Sequence, residues 1–336
     1  MSRTITTLLF LAMILLSGQA PAATTFKIAT VAPDGTSWMV AMRAAADEIQ
    51  QRTEGRVVLR FYPGGIMGND KSVLRKIRIG QLHGGAITGG GLADILPEAQ
   101  VYSLPFQLRS YAEVDYVRER MDPVLLQRLK ESGYISFGIS EGGFAYLMSE
   151  VAVRGTEDLR GHKVWVPEGD EISRSAFEAT GTSPVSLPLT DVLTGLQTGL
   201  IDTVAATPTG AIALQWHTRV KHLTDEPLMY IYGTLVLKRS VFERLNKDDQ
   251  AIVSEVLVRT FAELNRQNRA DNESARQALQ GQGITFVTID DQAMRKWRTT
   301  VDAAMVKLID NGLFDQALYS QLQEHLQAFR ARQTAE

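Results

Sequence analysis

Between Leu159 and Trp216 short apolar runs alternate with helix-period segments, and Gly, Pro or Asp stands at nearly every joint. Val164–Val166 is a short apolar run stopped by Pro167, and Asp170 is placed to cap a helix from Ile172 to Thr180. Pro184–Leu187 reads as a second strand. Thr190 is expected to cap a helix that buries Val192, Leu193 and Leu196, with Gly199 ending it. Ile201–Ala206 is a third strand, and Thr207-Pro208-Thr209-Gly210 turns the chain into another helix. Strands alternating with helices at this spacing imply a parallel sheet covered on both faces. Such sheets bind ligands at the carboxyl ends of their strands. Here those ends are Trp165–Asp170 and Ala205–Thr209, so a binding site is expected there.

The rest of the chain repeats the theme. Phe26–Val31, Arg56–Tyr62 and Gly85–Thr88 read as strands, separated by helices over Ser37–Thr53 and from Asp70, the expected cap, to Gly80. Gly89-Gly90-Gly91 follows the third strand. A helix is expected from about Tyr111 to Lys130, broken in two at Pro123, and a strand over Ile135–Ile139. Gly142-Gly143 is the expected first crossover between two lobes, because small residues absorb backbone rotation. After a strand run over Leu228–Leu237, helical periodicity persists from Asn246 or Lys247 to about Gln280. Such a helix would be about 50 Å long and would brace both lobes. Helices over Asp291–Asp310 and Asp315–Gln333 close the chain. The fold class is therefore α/β and two-lobed, each lobe a mainly parallel sheet flanked by helices. Lobe I takes residues 24–142 plus about 228–265, and lobe II takes 143–227 plus about 266–336.

Composition narrows the function. A formal net charge of −3 gives no reason to expect a nucleic acid or an anionic membrane surface as partner. Arg3, the apolar run Leu8–Leu16 and Ala20-Pro21-Ala22 have the pattern of a signal peptide over residues 1–22, cleaved after Ala22. That run falls short of the ~20 apolar residues needed to span a bilayer. The mature chain is therefore expected in the periplasm without membrane insertion. Zero cysteines exclude disulfides, lipid attachment through cysteine and thiolate chemistry.

Catalytic and cofactor motifs fail on spacing. His217 and His222 lie too far around a helix to make a metal pair, and neither HExxH nor GxSxG occurs. Gly64–Ser72 cannot be a P-loop, because the required Gly and Lys would fall on Asn69 and Asp70. Gly89–Gly91 is no dinucleotide fingerprint, because its third position falls on Asp94. No cofactor and no metal are expected. Glu168, Asp170 and Glu171 form an acidic cluster that suits a helix N-terminus better than acid–base catalysis. An exported two-lobed α/β chain without catalytic groups reads as a receptor that closes on a small molecule.

Several motifs now gain meaning together: Ile28-Ala29-Thr30 with Pro33 and Ser37-Trp38; Phe61-Tyr62-Pro63-Gly64-Gly65 with Met67-Gly68; and Leu104-Pro105-Phe106. Asp158-Leu159-Arg160-Gly161-His162-Lys163-Val164, Gly181 with Pro184, and Leu196–Asp202 continue the series. In this order the chain resembles the DctP-type solute-binding proteins of TRAP transporters, bacterial solute-binding protein family 7. The resemblance implies a periplasmic receptor that closes over a small organic anion and hands it to a membrane permease driven by an ion gradient. A ligand-sensing partner of a membrane signalling protein, or a secreted enzyme using the acidic cluster, are the alternatives.

The departures from that pattern concern the ligand. The family usually reads Lys-Ile-Arg-Val-Pro where this chain has Lys163-Val164-Trp165-Val166-Pro167, and that Arg clamps a ligand carboxylate. A second frequent Arg, after Gly-Phe, is here Ala145, and an Asn-bearing segment is replaced by Asp202–Pro208. A charge-assisted hydrogen bond is worth roughly 1.5–3 kcal/mol, so other contacts must replace the two arginines if binding is tight. One reading holds an organic acid on the backbone N–H groups of Gly89–Gly91, helix N-termini and the Thr88 or Thr207 hydroxyl. Another uses Trp165 and Phe144 with Glu168 or Asp170 as a stacking or cation–π site for an aromatic, zwitterionic or amine ligand. A third makes Trp165 a core residue that fills the space of the Arg. The residues expected in the cleft are Trp38, Thr88, Gly89, Gly90, Phe144, Trp165, Glu168, Thr207 and Trp216.

Overall fold

The computed structural model describes residues 23–313 and 315–335. The expected signal segment Met1–Ala22 lies outside them. Among the described residues, no helix is long and apolar enough to cross a membrane.

Among the described residues eleven strands form: β1 (Thr24–Thr30), β2 (Val57–Tyr62), β3 (Gly84–Thr88), β4 (Tyr134–Ile135), β5 (Ser140–Ser149), β6 (Trp165–Pro167), β7 (Val185–Leu187), β8 (Thr203–Ala206), β9 (His222–Thr224), β10 (Met229–Lys238) and β11 (Thr285–Val287). Nine share one sheet whose main path is β11-β9-β5-β10-β3-β1-β2, with β4 on β10 and β8 on β5. β6 and β7 form a separate parallel pair, joined to β8 by a bridge between Val164 and Thr203.

The mixed character of this sheet has one source. β1 runs parallel to β2 and β3, and β9 parallel to β11, as helical crossovers require. Every antiparallel pairing involves β5 or β10. These are the two longest strands, and each serves both lobes. β5 pairs through Ser140–Ala145 with β10 and through Tyr146–Ser149 with β8, while β10 continues from Gly233 onto β3. The crossover is therefore made of strand, and the Gly142-Gly143 pair lies inside β5 instead of ending it. Gly143 has φ +101°, and a Cβ there would stand 2.7 Å from the Asn272 amide and 3.0 Å from the Tyr111 hydroxyl. The glycine is needed for close approach of the long helix.

That helix runs from Lys247 to Gly281, 35 residues, or about 52 Å at 1.5 Å per residue. Val253, Val256, Leu257, Phe261 and Leu264 bury into the core beneath β1 and β2, whereas Leu279 enters the core around Trp165, Val204 and Trp216. One helix thus joins two hydrophobic cores. A third core runs from Val73 and Leu74 through Val114–Leu129 to Trp297, Val301 and Leu322. The last helix, Gln316–Ala335, docks on helix Tyr111–Glu131, where Arg330 bridges Glu113 and Arg128 bridges Asp315.

Three local expectations change. Helix Tyr111–Glu131 continues through Pro123, because its buried stripe of Val114, Val117, Met121, Leu125 and Leu129 holds both halves against one core. Asn69, not Asp70, caps helix Asp70–Arg78, accepting from the Ser72 N–H. Asp70 is thereby free to turn elsewhere. Thr190 lies in a short 3-10 turn and donates to Asp191, so it does not cap helix Val192–Thr198.

Candidate functional site

The strand ends of both lobes open onto one cleft. A cavity of about 330 Å³ there is walled by Asn69–Lys71, Thr88–Gly91, Trp165, Pro167–Asp170, Pro188–Thr190, Ala205–Thr207, Trp216 and Tyr232, among others. A second, of about 720 Å³, takes in Asp34–Trp38, Glu141, Thr209, Asn268, Asp271 and Ala275. Val31, Thr88, Leu189, Thr207, Gly210, Leu214 and Tyr232 border both, so the two are adjoining parts of one space. Cavities of about 300–1,000 Å³ suit small organic ligands.

On the first side, β3 ends at Thr88 and delivers its hydroxyl to the cleft. Thr88 Oγ donates to Asp70 Oδ2 at 2.6 Å and accepts from the Gly91 N–H at 3.1 Å. The Thr88 N–H adds a second donor to the same carboxylate oxygen at 3.2 Å. Gly91 lets this contact form, since a Cβ there would stand 2.3 Å from Asp70 Oδ2. Burial pushes the Asp70 carboxyl up to about 6, outweighing the two Thr88 hydrogen bonds that favour its ionised form. Gly89 admits the ring of Tyr232, whose hydroxyl donates to the Ala99 carbonyl.

On the other side, β6 carries Trp165 into the wall. The indole N–H donates to the Leu187 carbonyl at 3.0 Å, and the ring meets Trp216 edge-on with centroids 5.1 Å apart. Trp165 is 5 % exposed and Trp216 2 %. Past the turn at Gly169, Asp170 caps helix Glu171–Ala179, accepting from Ser173 N at 2.9 Å and Ser173 Oγ at 2.7 Å. Burial raises the Asp170 carboxyl, against the pull of those hydrogen bonds.

Two contacts reach across the mouth. Asn69 Nδ2 donates to Glu168 Oε2 at 2.9 Å. Gly65 lies so close to Thr190 that a Cβ would stand 2.8 Å from its methyl. Behind Gly142 and Thr209 of the second cavity, Asn272 on the long helix donates to the Gly142 carbonyl at 2.8 Å and accepts from the Thr209 hydroxyl at 2.9 Å. Glu141 is sealed there by Arg269 at 2.7 Å and by the Tyr230 hydroxyl at 2.8 Å.

The structure brings Thr88, Gly89, Gly90, Trp165, Glu168, Thr207 and Trp216 to the first cavity and Trp38 to the second. Phe144 lines neither. Its ring packs against Tyr111 and Tyr230 at 5.0 and 5.7 Å, because alternation along β5 turns it to the core. Sequence reasoning missed Asn69, Asp70, Leu189 and Tyr232, which line the first cavity. Asp70 had looked like a helix cap, and only its approach to β3 gives it another partner. Among the described residues, no arginine lines either cavity and no group of His, Cys, Asp or Glu is arranged to hold a metal.

Residues 28–311 match the family described as bacterial extracellular solute-binding protein, family 7. A solute-binding protein of Verminephrobacter eiseniae is 25% identical over 278 residues, covering 82% of each chain. The C4-dicarboxylate-binding periplasmic protein DctP of Rhodobacter capsulatus is 22% identical, over 76% of this chain and 77% of its own. Among solved structures, the sugar acid binding protein of Advenella mimigardefordensis in complex with galactonate superimposes with a TM-score of 0.85. It is 17% identical and the match covers 91% of this chain and 99% of that one. The two chains share one fold.

Proposed function

The chain belongs to the bacterial extracellular solute-binding proteins of family 7, and from that premise we propose that it is the solute receptor of a TRAP-type secondary transporter. The observation that carries this reading is the cleft, a cavity of about 330 Å³ walled by strand ends from both sides and bridged at its mouth by Asn69 and Glu168. In this reading a small organic solute enters the open cleft, the lobes close, and the closed form is what the permease subunits recognise. β5, β10 and the helix Lys247–Gly281 join the lobes. Movement about such crossovers keeps each core intact.

The division into lobes follows the sequence reading, with residues 24–142 plus about 228–265 against 143–227 plus about 266–336. Export to the periplasm with cleavage after Ala22, transfer to a permease and action without catalysis belong to the same proposal. The proposed ligand contacts are Trp38, Thr88, Gly89, Gly90, Trp165, Glu168, Thr207 and Trp216. One relative is named for C4-dicarboxylates and one structural neighbour holds galactonate, which makes organic acids the first class to try. Aromatic and zwitterionic solutes are the second.

The test combines calorimetry and small-angle scattering on the mature chain, followed by uptake into vesicles carrying the permease. A bound solute should contract the protein, and uptake should require it. Uptake that proceeds without the protein, or turnover of a bound compound that is lost on Glu168→Ala, would defeat the receptor reading.

A further inference from the structure

Five charged side chains line the first cavity, and four of them are acidic: Asp70, Asp94, Glu168 and Asp170 against Lys71. The hydrogen-bond donors to three of these carboxylates are uncharged. Asp70 accepts from Thr88, Asp170 from Ser173 and Glu168 from Asn69. Asp70 and Asp170 lie on opposite walls, one behind Gly91 and one with its Oδ2 3.9 Å from where a Cβ on Gly90 would be. Both carboxyls are raised by burial, as expected of desolvated acids that have no counter-charge.

Several of the groups that would hold an organic acid are already engaged, leaving the Lys71 ammonium and the Gly89 and Gly90 N–H groups in the cavity lining. The Thr88 hydroxyl gives its proton to Asp70 and its lone pair to Gly91 N–H. Asp170 fills the N-terminus of helix Glu171–Ala179 with its own carboxylate, and Asn69 fills that of helix Asp70–Arg78. Thr207 accepts from Gly210 N–H. Trp165 occupies the position of the family arginine with its N–H spent on Leu187. A carboxylate entering this space would meet like charge on both walls and would lack a guanidinium partner.

A positively charged head group meets the opposite situation. The carboxylates of Asp70 and Asp170 supply the counter-charge, and the Trp165–Trp216 pair, Phe177 and Leu189 supply an apolar and aromatic wall for its body. Resting on the receptor reading above, we propose that this cleft selects an organic cation, an amine or ammonium on an apolar or aromatic body, over a carboxylate.

The test uses calorimetry of the mature chain with phenethylammonium and benzyltrimethylammonium set against 3-phenylpropionate, succinate and galactonate. The ammonium probes should bind at least about tenfold more tightly than the size-matched 3-phenylpropionate, as expected for one uncompensated charge contact. Asp170→Asn keeps an acceptor for Ser173 N–H, so the cap survives while the charge is lost. Glu168→Gln keeps an acceptor for Asn69 at an exposed rim, so folding is not at risk. Each should weaken the ammonium probes by about tenfold or more, and should not weaken the acids. Tighter binding of an acid, or ammonium affinity untouched by both variants, overturns the cation inference and leaves a receptor standing. If no probe of either charge binds or contracts the protein in scattering, both readings fall.

Discussion

Asp70→Asn separates the electrostatic role of this residue from its structural one. In the absence of ligand the Asp70 carboxyl is held at about 6 against an ordinary 3.8, with burial as the main cause. At about 1.4 kcal/mol per tenfold change in proton affinity, the ionised group costs the folded state up to about 3 kcal/mol near neutrality. Its raised carboxyl binds a proton in the folded chain that the unfolded chain releases. The favourable contribution is therefore complete below the unfolded value and is lost as pH rises through about 6. The charged groups sharing the cavity are Lys71, Asp94, Glu168 and Asp170, and Asp94 adds to the upward push. Both Thr88 donors converge on one Asp70 oxygen, so the single oxygen of an asparagine amide can accept both.

The variant should thus gain about 1–3 kcal/mol over the parent at pH 7.5, and the gain should vanish near pH 4. Urea midpoints at four pH values between 4.5 and 7.5 check this, with the difference between variant and parent as the readout. A variant that is less stable than the parent at pH 7.5, or a difference that does not change with pH, would refute the reasoning. The first result would mean that the carboxylate is held by more than Thr88. The second would mean that it is not desolvated.

Two other substitutions test the frame of the cleft. Glu141→Gln removes a fully buried charge between Arg269 and Tyr230, with Arg118 3.7 Å away. Breaking such a pair leaves the buried Arg118 and the half-buried Arg269 short of a partner and should cost about 3–5 kcal/mol, read as a lower denaturation midpoint. Less than about 1 kcal/mol would show that Arg269–Asp115 and Arg118–Asp122 suffice for those cations. Trp165→Ala empties the wall against Trp216 and strips Leu187 of its donor, for a stability loss of about 3–5 kcal/mol. Affinity for the best ligand should fall about tenfold or more in calorimetry. Unchanged affinity would mean that Trp165 is a core residue only.

Much of the fold was legible because the signals are local. The helix from Lys247 to Gly281 announces itself by periodicity, Asn246 and the absence of breakers over nine turns. Asp291–Asp310 was legible to the residue for the same reason, with Asp290 capping it. Pro123 misled, because a helix broken by local preference can be held straight by the core on which it lies. Gly142-Gly143, expected as the first crossover, lies within strand β5, since β10 supplies ladder partners from a point nearly ninety residues on.

The sequence by itself determined that this is a two-lobed α/β chain, and it led to the expectation of a site at the strand ends and, through the family resemblance, of a tryptophan at position 165 where that family usually carries an arginine. Those properties follow from periodicity, turn chemistry and motif order, which are carried by neighbours along the chain. Only the tertiary structure decided what the site is electrically. Asp70, Asp94, Glu168 and Asp170 are separated by up to a hundred residues, and the cavity they share exists only once the lobes meet. Whether a carboxylate is a helix cap, a surface charge or an uncompensated charge in a cavity depends on what desolvates it. That is a property of distant packing, and no local pattern encodes it.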